Sequence, residues 1–190
     1  MSARLGKLAP SALDAGQRAV YDAVAGGPRV TGPFRLLDAD GALEGPFNAF
    51  LLQPAVGHAL QALGQAVRYE TTLSDRAREI AILVVATGWD SAFERYAHEA
   101  LGRRAGLTDE ELAALRTGRF EVFGAETERI VAATAHALVA RGDLDDDEYR
   151  RAVDALGLPA LFEVLTLVGY YATIALQLRV FRVPAPEDPA

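Results

Sequence analysis

Glu79, Glu94 and His98 are the side chains of this chain best suited to moving protons. Carboxyl and imidazole groups change protonation state near neutral pH once their surroundings adjust them. Their spacing brings them towards one place. A helix starting at Ser74 puts Glu79 on the face that also carries Ile82, Leu83 and Ala86. A carboxylate aimed at apolar neighbours is costly unless a cation or hydrogen bonds compensate it. In the following helical stretch Phe93, Ala97, Ala100 and Leu101 form an apolar arc, with Arg95, Glu99 and Arg103 opposite. Glu94 and His98 are four residues apart and stack along the border of that arc. Ser91 lies on the same side, Trp89 falls at the turn between the helices, and Tyr96 sits on the apolar flank of the second.

The same residues have plainer readings. Ser91 and Glu94 fit the S-x-x-E pattern of a capping box. Glu79 could pair with Arg76 or Arg103. Glu79, Glu94 and His98 could chelate a divalent ion, but a Glu-x-x-x-His pair is a common accident on helices. No metal and no other cofactor is expected. His58 and His136 fall outside the constellation and read as ordinary helix residues.

The elements that must position these groups are all helical. Residues 10–25 read as a first helix that Ser11 can cap, stopped by Gly26, Gly27 and Pro28. Residues 28–47 form a Gly- and Pro-rich loop whose Phe34, Leu36, Leu37 and Phe47 suit it to packing over something. Val56, Leu60, Leu63 and Val67 give 51–69 helical spacing. Helices then follow from Ser74 to about Thr87 and from Ser91 to Gly106. Thr108 with Glu111 starts a short helix, and 125–141 forms another, closed by Gly142. Asp145 with Glu148 opens a helix ending at Gly157, and Pro159 opens the last. That last helix is apolar nearly all round (Leu161, Phe162, Val164, Leu165, Leu167, Val168, Ile174, Leu176), so its own domain or a neighbour must cover every side. No segment alternates with a strand's period. The fold class is all-α, one domain over 1–190 with its core at about 15–183 and a frayed tail at 184–190.

Composition removes several function classes. A net charge of −7 and no basic stripe argue against a nucleic-acid partner. The absence of cysteine excludes disulfides, thiolate nucleophiles and thiolate metal sites. The first ten residues hold no signal-like apolar run, and the apolar run 164–178 is interrupted and shorter than the roughly 20 residues of a span. No membrane association is expected, and a cytoplasmic location is.

The segment Arg78-Glu79-Ile80-Ala81-Ile82-Leu83-Val84-Val85-Ala86, with Trp89-Asp90, Glu94-Arg95-Tyr96-Ala97-His98 and Ala105-Gly106-Leu107, resembles the core of the carboxymuconolactone decarboxylase family. That family shares a superfamily with alkyl hydroperoxidase D. Gly45-Pro46-Phe47, Leu63-Gly64, Arg68-Tyr69-Glu70-Thr71 and Val168-Gly169-Tyr170-Tyr171 extend the likeness to most of 15–183. The superfamily's peroxidase branch has a glutamate, a Cys-x-x-Cys and a histidine four residues on. Glu79 and His98 match the glutamate and the histidine, whereas Ser91 and Glu94 occupy the cysteine positions. Thiol peroxidase chemistry, which needs a thiolate and a resolving thiol, is therefore not expected.

The resemblance implies an alkyl hydroperoxidase D-like helical domain assembled as a homotrimer or hexamer. It implies cofactor-free decarboxylation, or a related proton transfer, on a small lactone or cyclic acid. In that scheme His98 is the general acid, Glu79 orients it, and Glu94 carries a second proton or holds a water. Trp89 or Tyr96 donates to a developing oxyanion, Ser91 adjoins the substrate, and Arg68 anchors its carboxylate. Phe34, Phe47 and Tyr170 are candidate pocket walls. The alternative is a family member that binds a small molecule, or acts as a scaffold, without catalysis.

Overall fold

The computed structural model describes residues 3–186. The expected fraying of the last residues falls partly on 187–190, outside that range. Among the described residues eight α-helices carry the fold: α1 (Ala15–Ala25), α2 (Pro46–Phe50), α3 (Pro54–Tyr69), α4 (Asp75–Gly88), α5 (Ala92–Arg104), α6 (Asp109–Thr117), α7 (Glu126–Arg141) and α8 (Asp146–Phe181). Among the described residues extended pairing is limited to one isolated bridge, Leu37 with Leu43.

Local chemistry sets most of the boundaries. Ser74 accepts from the Ala77 N–H and caps α4. Reciprocal capping boxes start α6 at Thr108 and Glu111 and start α8 at Asp145 and Glu148. The first helix departs from expectation. Asp14, with Gln17, caps α1, while Ser11 lies in a separate 3-10 turn, Pro10–Ala12. The expected last two helices run on as α8, broken at Gly157, whose φ of 79° no other residue type adopts cheaply. Pro159 follows as the start of the second part.

α4 is the central element. Ile80, Ala81, Ile82, Leu83, Val84, Val85 and Ala86 are all buried, because α5, α7 and α8 pack around it. A helix with no solvated face can only follow from such wrapping. α8 gives one side to this core through Leu161, Val164, Leu167, Tyr170, Tyr171 and Ile174. Its other side is bare, exposing Leu158, Phe162, Leu165, Leu176 and Val180. By length and composition the whole of α8 could cross a bilayer, beyond what the interrupted run 164–178 suggested. In this fold its inner face is core wall.

α3 follows the expected pattern only in part, with Val67 buried and Leu60 against the core. Val56 and Leu63 are exposed, and the inner face is Gly57, Gln61, Gly64 and Val67. Close approach selects glycine there: a methyl group at Gly57 would overlap the Phe50 carbonyl, and one at Gly64 would overlap the Tyr170 hydroxyl. The loop before α2 is partly structured. Its 3-10 turn, Pro28–Thr31, buries Arg29, and the expected helix at 51–69 begins only at Pro54.

Candidate active site

Glu79 and His98 meet as their helices cross. Nδ1 of His98 lies 2.7 Å from Oε2 of Glu79, and both side chains are buried. An ionised carboxylate only accepts, so Nδ1 carries the proton and Nε2 is left with its lone pair. Arg68 of α3 completes the cluster, with Nη1 3.4 Å from the other Glu79 oxygen and 3.2 Å from the Tyr171 hydroxyl. Arg76 and Arg103 pair elsewhere: Arg76 with Glu111 and Glu128, Arg103 with Asp109 and Glu99.

The electrostatics follow from this arrangement. Burial alone would raise the pKa of Glu79, but His98 and Arg68 outweigh it and hold the carboxyl below its ordinary range. Burial lowers the pKa of His98; Glu79 opposes that, and Arg68 and Arg29 add to it. The resting pair is a carboxylate and a neutral imidazole.

His98 borders a cavity of about 40 Å³ between α5, α8, α2 and the loop before α2. Arg29, Phe34, Phe47, Arg68, Phe93 and Tyr170 form much of its wall. Phe34, Phe47 and Tyr170 are thus where the sequence placed them. Glu94 also lines it, one turn before His98, and is only 2% exposed. Among the described residues neither Glu94 carboxyl oxygen nor the Ser91 hydroxyl has a partner in hydrogen-bond geometry. Burial pushes the Glu94 pKa up to about 8, with the neighbouring Ser91 offsetting part of the rise. At neutral pH Glu94 is therefore an uncharged acid.

Ser91 and Glu94 do not form the capping box their spacing suggests. Ser91 is the residue before α5, but its side chain makes no cap bond. Its N–H is already given to the Ala86 carbonyl at 2.9 Å, so Glu94 has nothing to accept and turns inward. Trp89 and Tyr96 are absent from the cavity wall. Trp89 ends α4, where its carbonyl accepts from Arg179. Tyr96 packs beside Phe93 on the helix flank, its ring 6.4 Å away. Neither is placed to donate to a group beside His98, because the inward positions of α5 are 93, 94, 97 and 98. His58 and His136 are exposed helix residues, as expected.

Two important residues escaped the sequence reading. Arg29 is 4% exposed, bonds Gln61 at 2.6 Å and reaches the cavity from a loop with no periodicity to reveal it. Tyr171, visible beforehand only as part of a likeness, sets its ring edge-on to His98 at 5.1 Å. Among the described residues no group of three or more His, Asp or Glu side chains is arranged to hold a metal ion.

Comparison with known proteins agrees with this architecture. The model of the carboxymuconolactone decarboxylase family matches residues 54–138, which hold Glu79, Glu94 and His98. A protein of unknown function from Agrobacterium tumefaciens, described as a candidate antioxidant defence protein AhpD, superposes with a TM-score of 0.68 at 20% identity. The match covers 74% of this chain and 97% of that one. The debrominase Bmp8, as a cysteine-to-alanine variant bound to 2,3,4-tribromopyrrole, superposes with a TM-score of 0.73 at 12% identity, covering 98% of this chain and 93% of its own. At these identities the likeness shows the fold. No curated protein matches the sequence.

Proposed function

We propose that this protein is a cofactor-free enzyme, because residues 54–138 match the model of the carboxymuconolactone decarboxylase family and an acid and a base share one cavity wall. Its reaction is decarboxylation, or a related proton transfer, on a small lactone or cyclic carboxylic acid. One observation carries the reading: Glu94 is buried, holds a proton at neutral pH, has no cationic partner among the described residues, and lines the cavity that His98 lines. A carboxyl group kept in that state is costly to the fold, and such groups cluster at functional sites.

The roles follow from the protonation states. In decarboxylation the bond between ring carbon and carboxylate breaks, and its electron pair moves into the conjugated carbonyl as a dienolate. Carbon dioxide leaves, and a proton must reach carbon. Glu94 supplies it, since Glu94 holds a transferable proton at neutral pH, whereas the one proton of His98 is on Nδ1 and engaged by Glu79. This exchanges the roles the sequence suggested. Water re-protonates Glu94, and His98, held by Glu79 in one tautomer, can remove a proton from substrate through Nε2. Arg68 and Arg29 face the substrate carboxylate and the developing enolate oxygen. The cavity holds about three waters, so a ring enters as Phe34, half-buried in the loop, swings aside.

Carbon dioxide release and deuterium incorporation from heavy water, measured across a panel of lactone acids, test the reading. Glu94→Gln and His98→Ala should each abolish turnover in a folded protein. Unchanged rates in either variant overturn it. A non-catalytic small-molecule binder is the second reading, favoured by the cavity's aromatic walls and small volume. It predicts saturable binding with no deuterium incorporation.

The partner proposed for the chain itself is a second copy, contacting the bare outer face of α8 at Leu158, Phe162, Leu165, Leu176 and Val180.

A further inference from the structure

Arg68 and Glu79 border a second, wider polar pocket of about 340 Å³. We propose that it binds a small oxyanion, a dicarboxylate or a phosphate, as a site separate from the catalytic cavity. The proposal does not rest on the decarboxylase reading.

Three guanidinium groups converge there from three helices: Arg68 of α3, Arg78 of α4 and Arg104 of α5. Two carboxylates share the pocket, and both are engaged. Asp75 pairs with Arg78, and Glu79 with Arg68 and His98. Arg104 has no carboxylate among the described residues; its one hydrogen bond is a long 3.5 Å contact to the Thr31 carbonyl. The pocket thus holds one uncompensated cation in a chain of net charge −7. Donors are also left over. Arg68 gives only Nη1 to protein acceptors, and the buried Nε of Arg78 has no partner. A carboxylate or phosphate oxygen pair matches the arginine fork, which lysine or a lone polar group would not supply. The volume is at the lower end for small-molecule sites, suited to a compact ion.

The position gives the site a consequence. Arg68 and Glu79 belong to the walls of this pocket, and Arg68 also borders the inner cavity. An anion drawing on Arg68 acts on the group that pairs with Glu79, which in turn holds His98.

Amide chemical-shift titrations of the whole protein with malonate and with phosphate, at low ionic strength, test the site. Saturable shifts should concentrate at Gly32, Leu101 and Ala105, which line this pocket and not the inner cavity. Arg104→Ala, an exposed position that tolerates change, should weaken binding about tenfold or more, the loss of one charge-assisted contact. The tighter of the two probes identifies the ligand class. Shifts centred on Ala97 and Ile174, which line only the inner cavity, would overturn the proposal. So would unchanged affinity in Arg104→Ala, or no saturation by either probe.

Discussion

Glu79 Oε2 and His98 Nδ1 are 2.7 Å apart across the α4–α5 junction, and each is buried by the other's helix. The contact fixes the histidine tautomer. It also makes both groups dependent on a third, because Arg68 lies 3.4 Å from the second Glu79 oxygen. Replacing Glu79 by glutamine removes the negative charge and offers Nδ1 a donor as readily as an acceptor. On the proposed chemistry kcat/KM should fall about 10²–10⁴-fold. The nitrogen shifts of His98 should show loss of the single tautomer. Stability should fall by roughly 3–5 kcal/mol, because Arg68 is left buried beside a neutral amide. A rate and a tautomer both unchanged would show that Glu79 is only a packing residue.

Glu94 makes stability depend on pH in a definite direction. Its folded pKa of about 8 is above the ordinary carboxyl value of 4.5, so between those values the folded chain binds a proton that the unfolded chain has released. Its stabilising contribution is complete below the unfolded value and is lost as pH rises towards 8. Glu94→Gln, which cannot ionise, should match the parent protein near pH 4.5 and exceed it in urea resistance near pH 9. As the proton donor, Glu94 should also give a kcat that declines as pH rises through about 8. Parallel stability profiles for the two proteins would contradict a buried, neutral carboxyl.

The hairpin that carries these residues was legible because it is sharply punctuated. Ser74 caps α4, and residues 89–91 separate it from α5. The apolar neighbours of Glu79 and the four-residue step from Glu94 to His98 then fix the faces. The capping pattern at Ser91 misled because it records only spacing, and the Ser91 N–H was already committed to Ala86. Trp89 and Tyr96 needed the helix phase to a finer angle than an apolar arc defines. Arg29 could not be found, since nothing periodic marks one arginine in an irregular loop. The inner face of α3 was only partly legible, because its close packing depends on Gly57 and Gly64 beside Val67, while Val56 and Leu63 point outward.

Gly64 separates positioning of the site from stability of the fold. A methyl group there would meet the Tyr170 hydroxyl and lie 2.8 Å from Arg29 Nη2. Both are side-chain ends rather than backbone, so Gly64→Ala should cost less stability than a substitution whose methyl meets the main chain. Two groups of the cavity wall would be displaced, and ligand affinity or kcat/KM should drop about tenfold or more. Gly57→Ala is the contrasting case. Its methyl would meet the Phe50 carbonyl, which is backbone and cannot step aside, so that variant should lose stability by a few kcal/mol. Equal melting behaviour in the two variants would mean that Tyr170 and Arg29 are as rigid as the main chain.

Phe162 tests the proposed self-association. It is 69% exposed at the middle of an apolar row that begins one turn earlier at Leu158 and continues at Leu165. Farther along the same helix Leu176 and Val180 are also bare. Each large side chain covered by a neighbour would contribute about 1.5–3 kcal/mol, so a contact along this row would be substantial. In an isolated protomer Phe162→Glu only exchanges one solvated side chain for another and should change folding stability by about 0.5 kcal/mol or less. In an oligomer it places a charge at the centre of the contact. Light scattering should therefore give a multiple of 20.3 kDa for the parent chain and the single-chain mass for the variant, with the same helical circular dichroism. A parent chain that is monomeric at working concentrations would remove the proposal, as would a variant that keeps the parent's mass.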